Sequence, residues 1–397
     1  MSLRCLVTLF AFTAAIVCFG QNADSLQATQ DSLAITEADD FVTASILVAT
    51  PSDVLYSCVG HASIRMQCPY YDLDMVYTYE SESVENRVLS FFKGDLKMGM
   101  TAVRTERVLS DYEQESRGIT EYVLNIPLEK RKQLWQYLDE KVEEGMRLSY
   151  DYLNQGCVLG CLRAIRAAVL PDTLSFEWDE RLVRKSRRAL LGDRTDDFPW
   201  DRFIIFSITG IEADRNCAVT DKVVVPADFI EVMQKATLNG KPVLEEPNIL
   251  ISQSIVPEKN RWHTPMMVAC IVLVLAIVSC FWMQHPLSIL LLVLQSVAGL
   301  AMSYLVVLSS LPNTSFSWLI IPFNLLPLLL WHWRRRWLLP YAVICLCWCL
   351  IMLTRIGNPL VDNAHIILVL ALTVNYLGQW NQLRKQTKTQ LFHCLFY

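Results

Sequence analysis

Charged side chains are scarce in this sequence, and one part of the chain almost lacks them. Asp, Glu, Lys and Arg make up 19% of the 397 residues, whereas a soluble globular domain carries about 25%. No Asp, Glu or Lys stands between Arg261 and Asp362, while Asp24 to Arg261 has the composition of a water-soluble protein. We therefore predict one soluble domain and one membrane domain. The net charge of −5 gives no basic surface for nucleic acid, which we exclude as a partner.

The N-terminus is too short for a membrane span but has the layout of a secretory signal. Arg4 precedes an apolar run from Cys5 to Phe19, and a span needs roughly 20 apolar residues. We predict a signal peptide over residues 1–20, with a lipoprotein signal at Cys18 as the alternative. The soluble domain, residues 21–262, is then exported.

The membrane domain is predicted to comprise five transmembrane helices within residues 263–382. The apolar segments run Pro265 to Trp282, Pro286 to Leu311, Ser315 to Trp331, Trp337 to Leu353 and Ala364 to Trp380. With the soluble domain outside, the basic clusters Arg334–Arg336 and Arg384–Lys388 fall on the cytoplasmic side, as the positive-inside rule requires. Residues 383–397 are then a cytoplasmic tail.

Three polar side chains interrupt the predicted spans: Gln295, Asn324 and Asn375. They bond between neighbouring helices or, in the alternative interpretation, line a lipid-binding cavity.

The soluble domain is predicted to be α+β, with helices packed on a mostly antiparallel sheet. Apolar alternation and turn residues predict strands at Phe41–Thr50, Leu55–Met66, Asp74–Tyr79, around Phe91–Phe92 before a turn at Gly94, at Glu121–Ile126 and around Val223. Helical spacing predicts helices over Leu128–Leu148 and from Cys157 to Val169, ended by Pro171. Asn248 to Lys259 is predicted to be a linker to the membrane.

Histidine is rarer still in the exported domain, where His61 is the only one before the membrane junction. No set of His, Cys and Asp stands around it at metal-ligand spacing, so we predict no metal or other cofactor.

The exported domain has an odd number of cysteines, so at least one of them has no intramolecular disulfide partner. The five are Cys58, Cys68, Cys157, Cys161 and Cys217.

Cys157 has the sequence context of a nucleophile. It follows a predicted loop, Asn154-Gln155-Gly156, and precedes a helix whose free N–H groups would stabilise a thiolate. A histidine within hydrogen-bonding reach would activate it. The alternative is a buried structural thiol or a disulfide.

Four short motifs in order resemble the Lnb-type lipoprotein N-acyltransferases: Gly60-His61-x-x-x-Arg65, Asp74-x-Val76-Tyr77, Phe92-x-Gly94-x-Leu96, and Tyr150-Asp151-Tyr152 leading to Cys157. The signal sequence and five spans match that family's architecture. The resemblance implies a permuted papain-like (NlpC-like) soluble domain, similar also to lecithin:retinol acyltransferase, and a multi-pass protein of the bacterial inner membrane with its soluble domain in the periplasm.

The activity that the resemblance implies is acyl transfer. Cys157, with His61 as base, would take an acyl chain from a membrane phospholipid and pass it to the α-amino group of a diacylated lipoprotein. Related domains carry Asn where this chain has Gly156, so Cys161 remains an alternative nucleophile.

Three further roles are predicted around this pair. Asp74 is expected to orient the imidazole as a third catalytic group, with Tyr77 and Tyr79 as alternatives. The non-catalytic interpretation of Asp74 is an exposed carboxylate in an ion pair. Backbone N–H groups at the start of the Cys157 helix could form an oxyanion hole. Arg65 meets a lipid phosphate or, in the plainer interpretation, forms an ion pair.

Two rival functions use the same features differently. A thiol peptidase or amidase could act through the same Cys and His, and a non-enzymatic envelope scaffold would use neither.

Overall fold

The computed structural model describes residues 38, 40–52, 57–82, 87–253, 263–281, 286–314 and 316–396, and the predicted signal peptide lies outside them. The strands are β1 (Thr43–Ala49), β2 (His61–Cys68), β3 (Leu73–Ser81), β4 (Lys97–Arg104), β5 (Ile119–Val123), β6 (Leu148–Ser149), β7 (Leu174–Ser175), β8 (Thr237–Leu238), β9 (Lys241–Pro242) and β10 (Asn248–Ile251).

The α-helices alternate with these strands and then follow them. They are α1 (Val88–Lys93), α2 (Thr105–Gln114), α3 (Leu128–Glu144), α4 (Cys157–Ala168), α5 (Glu180–Arg184), α6 (Arg187–Asp193), α7 (Pro199–Ile208), α8 (Val219–Lys222), α9 (Pro226–Lys235), α10 (Pro265–Phe281), α11 (Pro286–Val307), α12 (Leu326–Leu329), α13 (Arg334–Leu353) and α14 (Asn363–Phe396).

One antiparallel sheet organises the soluble half, in the order β10-β5-β1-β2-β3-β4-β6. Side chains along each strand point alternately to the two faces of the sheet. On one face, a set that includes Ile46 and Ile64 packs under α3 and α4. The opposite set, including Leu47 and Ala49, is covered by α2. The predicted mostly antiparallel α+β domain is confirmed, and the sheet positions α4 against β2 and β3.

Three local predictions in the soluble half are wrong. Phe91 and Phe92 lie in helix α1, not in a strand, because their rings pack against neighbouring aromatic and apolar groups and such contacts override β propensity. Val223 is fully buried but follows the short helix α8, since a brief apolar run does not distinguish a strand from another buried segment. The predicted linker begins as β10, which pairs with β5.

The apolar half is helical but less regular than its composition predicts. Among the described residues, two helices are long and apolar enough to cross a membrane, Pro286–Val307 and Trp331–Leu353, and Pro265–Phe281 is a shorter apolar helix. The third predicted span is wrong as a continuous helix: 3-10 turns and α12 replace it. Pro322 and Pro327 lack the N–H groups that a continuous helix requires. The last helix, α14, runs through the predicted start of the cytoplasmic tail at residue 383.

The polar side chains in the apolar half bond within the bundle, as the interhelical interpretation predicts. Gln295 Nε2 donates to Pro322 O at 2.9 Å. Asn324 Nδ2 donates to Tyr341 Oη at 2.6 Å, and Ser288 Oγ donates to Asn375 Oδ1 at 2.5 Å. Each of these polar groups therefore has a partner in protein.

Candidate active site

Cys157 is the first residue of α4, as predicted. Gly156 is the N-cap residue, with extended backbone (φ −64°, ψ 168°). Asp151 closes the preceding loop, because its Oδ1 accepts hydrogen bonds from Leu153 N at 3.1 Å and Asn154 N at 2.9 Å. The free N–H groups and the dipole at this helix end stabilise negative charge on the sulfur.

His61 is the first residue of β2 and pairs with Ala49 of β1. Its side chain lies close enough to Cys157 for each group to shift the pKa of the other, and its Nε2 lies 2.6 Å from Thr78 Oγ1 on β3. His61 and Cys157 are both partly exposed, so another molecule can approach them. The structure brings together the imidazole and the thiol that the sequence singles out.

Each member of this pair favours the charged form of the other. Burial raises the pKa of Cys157, but the interactions with His61 and with two backbone groups together outweigh burial, and the pKa falls below 9.0. Burial lowers the pKa of His61, but the interaction with Cys157 and the charge of Glu80 together outweigh burial, and the pKa rises above 6.5. The interaction therefore favours the thiolate–imidazolium ion pair over the same two groups held apart.

Two backbone groups add to this preference. Hydrogen bonds from the backbone of Ala62 and Val158 also lower the pKa of Cys157. One comes from β2 and the other from the first turn of α4, so donors from two elements converge beside the sulfur. Converging N–H groups of this kind can also stabilise an oxyanion.

The lowered pKa gives a direct prediction for thiol reactivity. Only the thiolate is alkylated rapidly, so the rate of Cys157 alkylation by iodoacetamide should reach half its maximum below pH 9.0. The midpoint should move upward in His61→Ala, because that variant loses the stabilising charge while Cys157 stays in place. Peptide mass spectrometry across a pH series measures both midpoints.

Cys161 supplies the internal control for this experiment. It lies one helical turn further along α4 and is buried, and burial raises its pKa well above 9.0. We expect slow alkylation of Cys161 at every pH at which the protein remains folded. A Cys157 midpoint at or above 9.0, unchanged by His61→Ala, would contradict the ion pair.

Asp74 lies elsewhere on β3, where it pairs with Gln67. Its Oδ2 is 2.6 Å from Arg65 Nη2, and Thr105 Oγ1 donates to its Oδ1 at 2.5 Å. The structure does not bring Asp74 to the imidazole, because these contacts hold its carboxylate further along the strand, and Thr78 is the hydrogen-bond partner of His61 instead.

The other predicted groups also have local partners. Arg65 pairs with Asp74 and, at 2.9 Å, with Glu121, as the ion-pair interpretation predicts. Tyr77 donates to Asp139 at 2.6 Å, and Tyr79 packs against Gly160 of α4. The described exported cysteines are all free thiols.

Sequence reasoning missed several groups close to the pair. Burial raises the pKa of Tyr150, and the charge of Cys157 adds to this effect. Arg117 lowers the pKa of His61. Its guanidinium stacks on Tyr112, with Cζ 4.7 Å from the ring centroid. Tyr150 stands in a motif that leads to Cys157, but Arg117 and Tyr112 carry no motif that would select them.

Tyr150 also links the pair to the apolar helices. Its ring centroid lies 5.7 Å from that of Phe91 in α1. The next residue, Phe92, packs against the apolar cluster of the helical half, and its carbonyl accepts a hydrogen bond from Ser309 Oγ at 2.5 Å. Aromatic contacts therefore lead from Tyr150 through Phe91 and Phe92 towards the apolar helices.

A second contact ties the loop before Cys157 to the same region. Asn313, which follows α11, donates through Nδ2 to Asp151 Oδ1 at 2.5 Å. Asn154 Nδ2 approaches Asn313 Oδ1 at 3.4 Å. The residues that position Cys157 are thus held partly by the apolar half.

The described residues include no group of three or more His, Cys, Asp or Glu side chains placed to hold a metal ion. The fold and site define a soluble α+β domain that carries a thiol–imidazole pair and is joined to apolar helices.

A family comparison agrees with this description at the level of the soluble domain. Residues 31–185 match the family model described as the Lnb N-terminal periplasmic domain. These residues include β1 to β7, His61 and Cys157. No curated protein and no solved structure matches the chain. The match supports the Lnb type for this domain and indicates a role in lipoprotein modification. The match and the two described helices of spanning length together indicate a membrane protein with a periplasmic domain.

Proposed function

We propose that this protein is a lipoprotein N-acyltransferase. It moves a fatty acyl chain from a membrane phospholipid, through a thioester on Cys157, to the α-amino group of the diacylglyceryl-cysteine at a lipoprotein N-terminus. The observation that carries the proposal is the proximity of Cys157 and His61, which lowers the pKa of the thiol, inside the domain that matches the Lnb model. The order of histidine strand before cysteine helix supports a permuted papain-like fold.

The first step forms the thioester. The Cys157 thiolate attacks an ester carbonyl of the phospholipid, and the backbone N–H groups of Ala62 and Val158, which lower the pKa of the thiol, would stabilise the oxyanion. The carbon–oxygen bond then breaks, and the His61 imidazolium gives its proton to the departing lysophospholipid alkoxide. An S-acyl cysteine and a neutral imidazole remain.

The second step reverses the proton transfer. The neutral α-amine of the lipoprotein attacks the thioester, and His61 takes the proton that the nitrogen loses as the amide forms. The carbon–sulfur bond breaks and restores the thiolate–imidazolium pair. Thr78 holds the imidazole through both steps by its hydrogen bond to Nε2.

The membrane half is proposed to keep both lipid substrates near the thiol. We propose a multi-pass protein of the bacterial cytoplasmic membrane with five crossings, in which the broken segment between α11 and α13 is the third. The aromatic contacts from Phe92 through Phe91 to Tyr150 favour a donor that arrives from the bilayer. Tethering both lipids to one surface raises their effective concentration.

The thioester is the decisive intermediate. The full chain in mixed micelles is incubated with a phospholipid that carries an isotopically labelled acyl chain, quenched in acid, and digested for mass spectrometry. We expect the label on the peptide that contains Cys157. Cys161→Ser should retain the adduct, and Cys157→Ala should lose it.

Acceptors separate transfer from hydrolysis. A synthetic diacylated lipopeptide with a free α-amine should consume the adduct and become N-acylated, whereas the matched N-acetylated lipopeptide should leave the adduct in place. Release of free fatty acid with either acceptor would indicate a hydrolase. Absence of any adduct, with normal behaviour of Cys157→Ala, would favour a scaffold.

A further inference from the structure

Arg117 is held at the same end of the sheet as His61. It lies between α2 and β5, and its Nε donates to Thr50 O at 2.8 Å. Thr50 follows Ala49, which is the residue that pairs with His61 across β1 and β2. The backbone N–H of Gly118 also donates to Thr50, through Oγ1 at 3.0 Å, so this corner of the sheet fixes the guanidinium.

One nitrogen of this guanidinium has no acceptor in the described part of the chain. Nη1 donates to Glu115 at 3.1 Å, while Nη2 is buried and makes no hydrogen bond to any described residue. The Arg117 side chain is only 6% exposed. Burying a charged donor without a partner is unfavourable, and an arriving anion would remove that cost.

Tyr112 lies beside this unused donor, with its ring centroid 4.7 Å from Arg117 Cζ. Burial raises the pKa of Tyr112 to about 12, and the charges of Arg117 and Cys157 act on it in opposite directions. Arg117 also lowers the pKa of His61. The guanidinium, the phenol and the Cys157–His61 pair therefore share one neighbourhood.

We infer that Arg117 binds the phosphodiester anion of the acyl donor through Nη2 while the ester carbonyl of the same lipid meets Cys157. The inference rests on the proposed function and narrows the donor to phosphate-bearing glycerolipids. A guanidinium suits this task because its planar N–H groups match phosphate oxygens. Arg65, the arginine that the sequence suggested for this role, already has two carboxylate partners.

Two donors with identical acyl chains test the assignment. Thioester formation on Cys157 is timed in the full-length protein with dioleoyl phosphatidylglycerol and with dioleoylglycerol, which lacks phosphate. Because Arg117 also acts on the pKa of His61, the diagnostic quantity is the difference between donors: Arg117→Gln should slow the reaction with the phospholipid by about 10- to 100-fold more than the reaction with dioleoylglycerol. Arg107→Gln, at a 78% exposed position on α2, should change neither rate.

The pattern of loss decides the outcome. An equal loss with both donors would show that Arg117 serves the Cys157–His61 pair or the fold, and would overturn the phosphate assignment. No loss with either donor would overturn it as well. If Arg117→Gln does not fold, Arg117→Lys keeps the charge without the planar fork, and a selective loss with the phospholipid is again the supporting result.

A non-reacting lipid separates this inference from the proposed function. Dialkyl phosphatidylglycerol, with ether-linked chains, cannot donate an acyl group but should slow Cys157 alkylation in the wild-type protein and not in Arg117→Gln. This readout applies even if no thioester forms with any donor. Equal protection by inorganic phosphate alone at the same concentration would assign the site to free phosphate and overturn the lipid assignment.

Discussion

Alanine in place of Cys157 is expected to abolish N-acylation while the protein stays in the membrane in normal amounts. The variant removes the only atom proposed to carry the acyl group, so the loss should exceed about 10⁴-fold. The substitution removes a single sulfur atom and therefore leaves little cavity in the core. Mass spectrometry of lipoprotein N-termini, in cells that depend on this protein for the third acyl chain, gives the measurement.

His61→Ala should give nearly the same loss, because the pair acts as a unit. Removing either member of such a unit costs about as much as removing both, so the double variant should be no worse than Cys157→Ala alone. Cys161→Ala is the matched control on the same helix and should remain active. Substantial N-acylation in Cys157→Ala, or a double variant that is clearly worse, would contradict the shared role.

The proximity of His61 and Cys157 could be anticipated because both residues stand out in the sequence. His61 is the one histidine before the membrane junction, and Cys157 follows a glycine at a helix start. The third group was not predictable in the same way. Asp74 has the residue type that orients histidines elsewhere, but strand register places Gln67 opposite it. Thr78, one of many threonines by sequence, is the residue that reaches the ring.

Composition likewise identified the apolar half but not its detailed form. Hydropathy does not register that Pro322 and Pro327 interrupt the third segment, or that Asn324 bonds to backbone carbonyls within it. Contacts between the two halves were also hidden, because a sequence pattern reports which face of an element is apolar and not what covers that face. Gly94 is one example, because its close approach to the backbone of Ser310 and Leu311 in the apolar half leaves no pattern in the sequence.

Gly94→Ala is expected to uncouple the soluble domain from the apolar half. Gly94 ends α1 in the left-handed region, with φ 83°. A Cβ at this position would overlap the backbone of Ser310 and Leu311, because Lys93 O accepts the N–H of Ser310 at 2.9 Å. Alanine would add left-handed strain of roughly 1–2 kcal/mol and would also force these two backbones apart.

The consequence for transfer should be larger than the consequence for stability. A displacement near 1 Å can cost about 100-fold in rate, and we expect a loss of that order in acyl transfer from bilayer lipid. Gly240→Ala is the matched control: its φ is 80°, yet nothing lies within 4 Å of the added Cβ. It therefore carries the strain without the collision and should keep transfer within about twofold.

Two variants distinguish the contact between the soluble domain and the apolar half from the positioning of the Cys157 thiol. Asn313 holds Asp151, which closes the turn before Cys157, whereas the backbone contact at Gly94 holds α1. Asn313→Ala should thus alter Cys157 alkylation at neutral pH while the α1 contact persists. Gly94→Ala should reduce acyl transfer from bilayer phospholipid far more than acyl transfer from a monomeric short-chain phospholipid. If Gly94→Ala and Gly240→Ala lose the same activity on both lipids, strain alone explains the effect, and the contact between the two halves has no part in delivering the acyl donor.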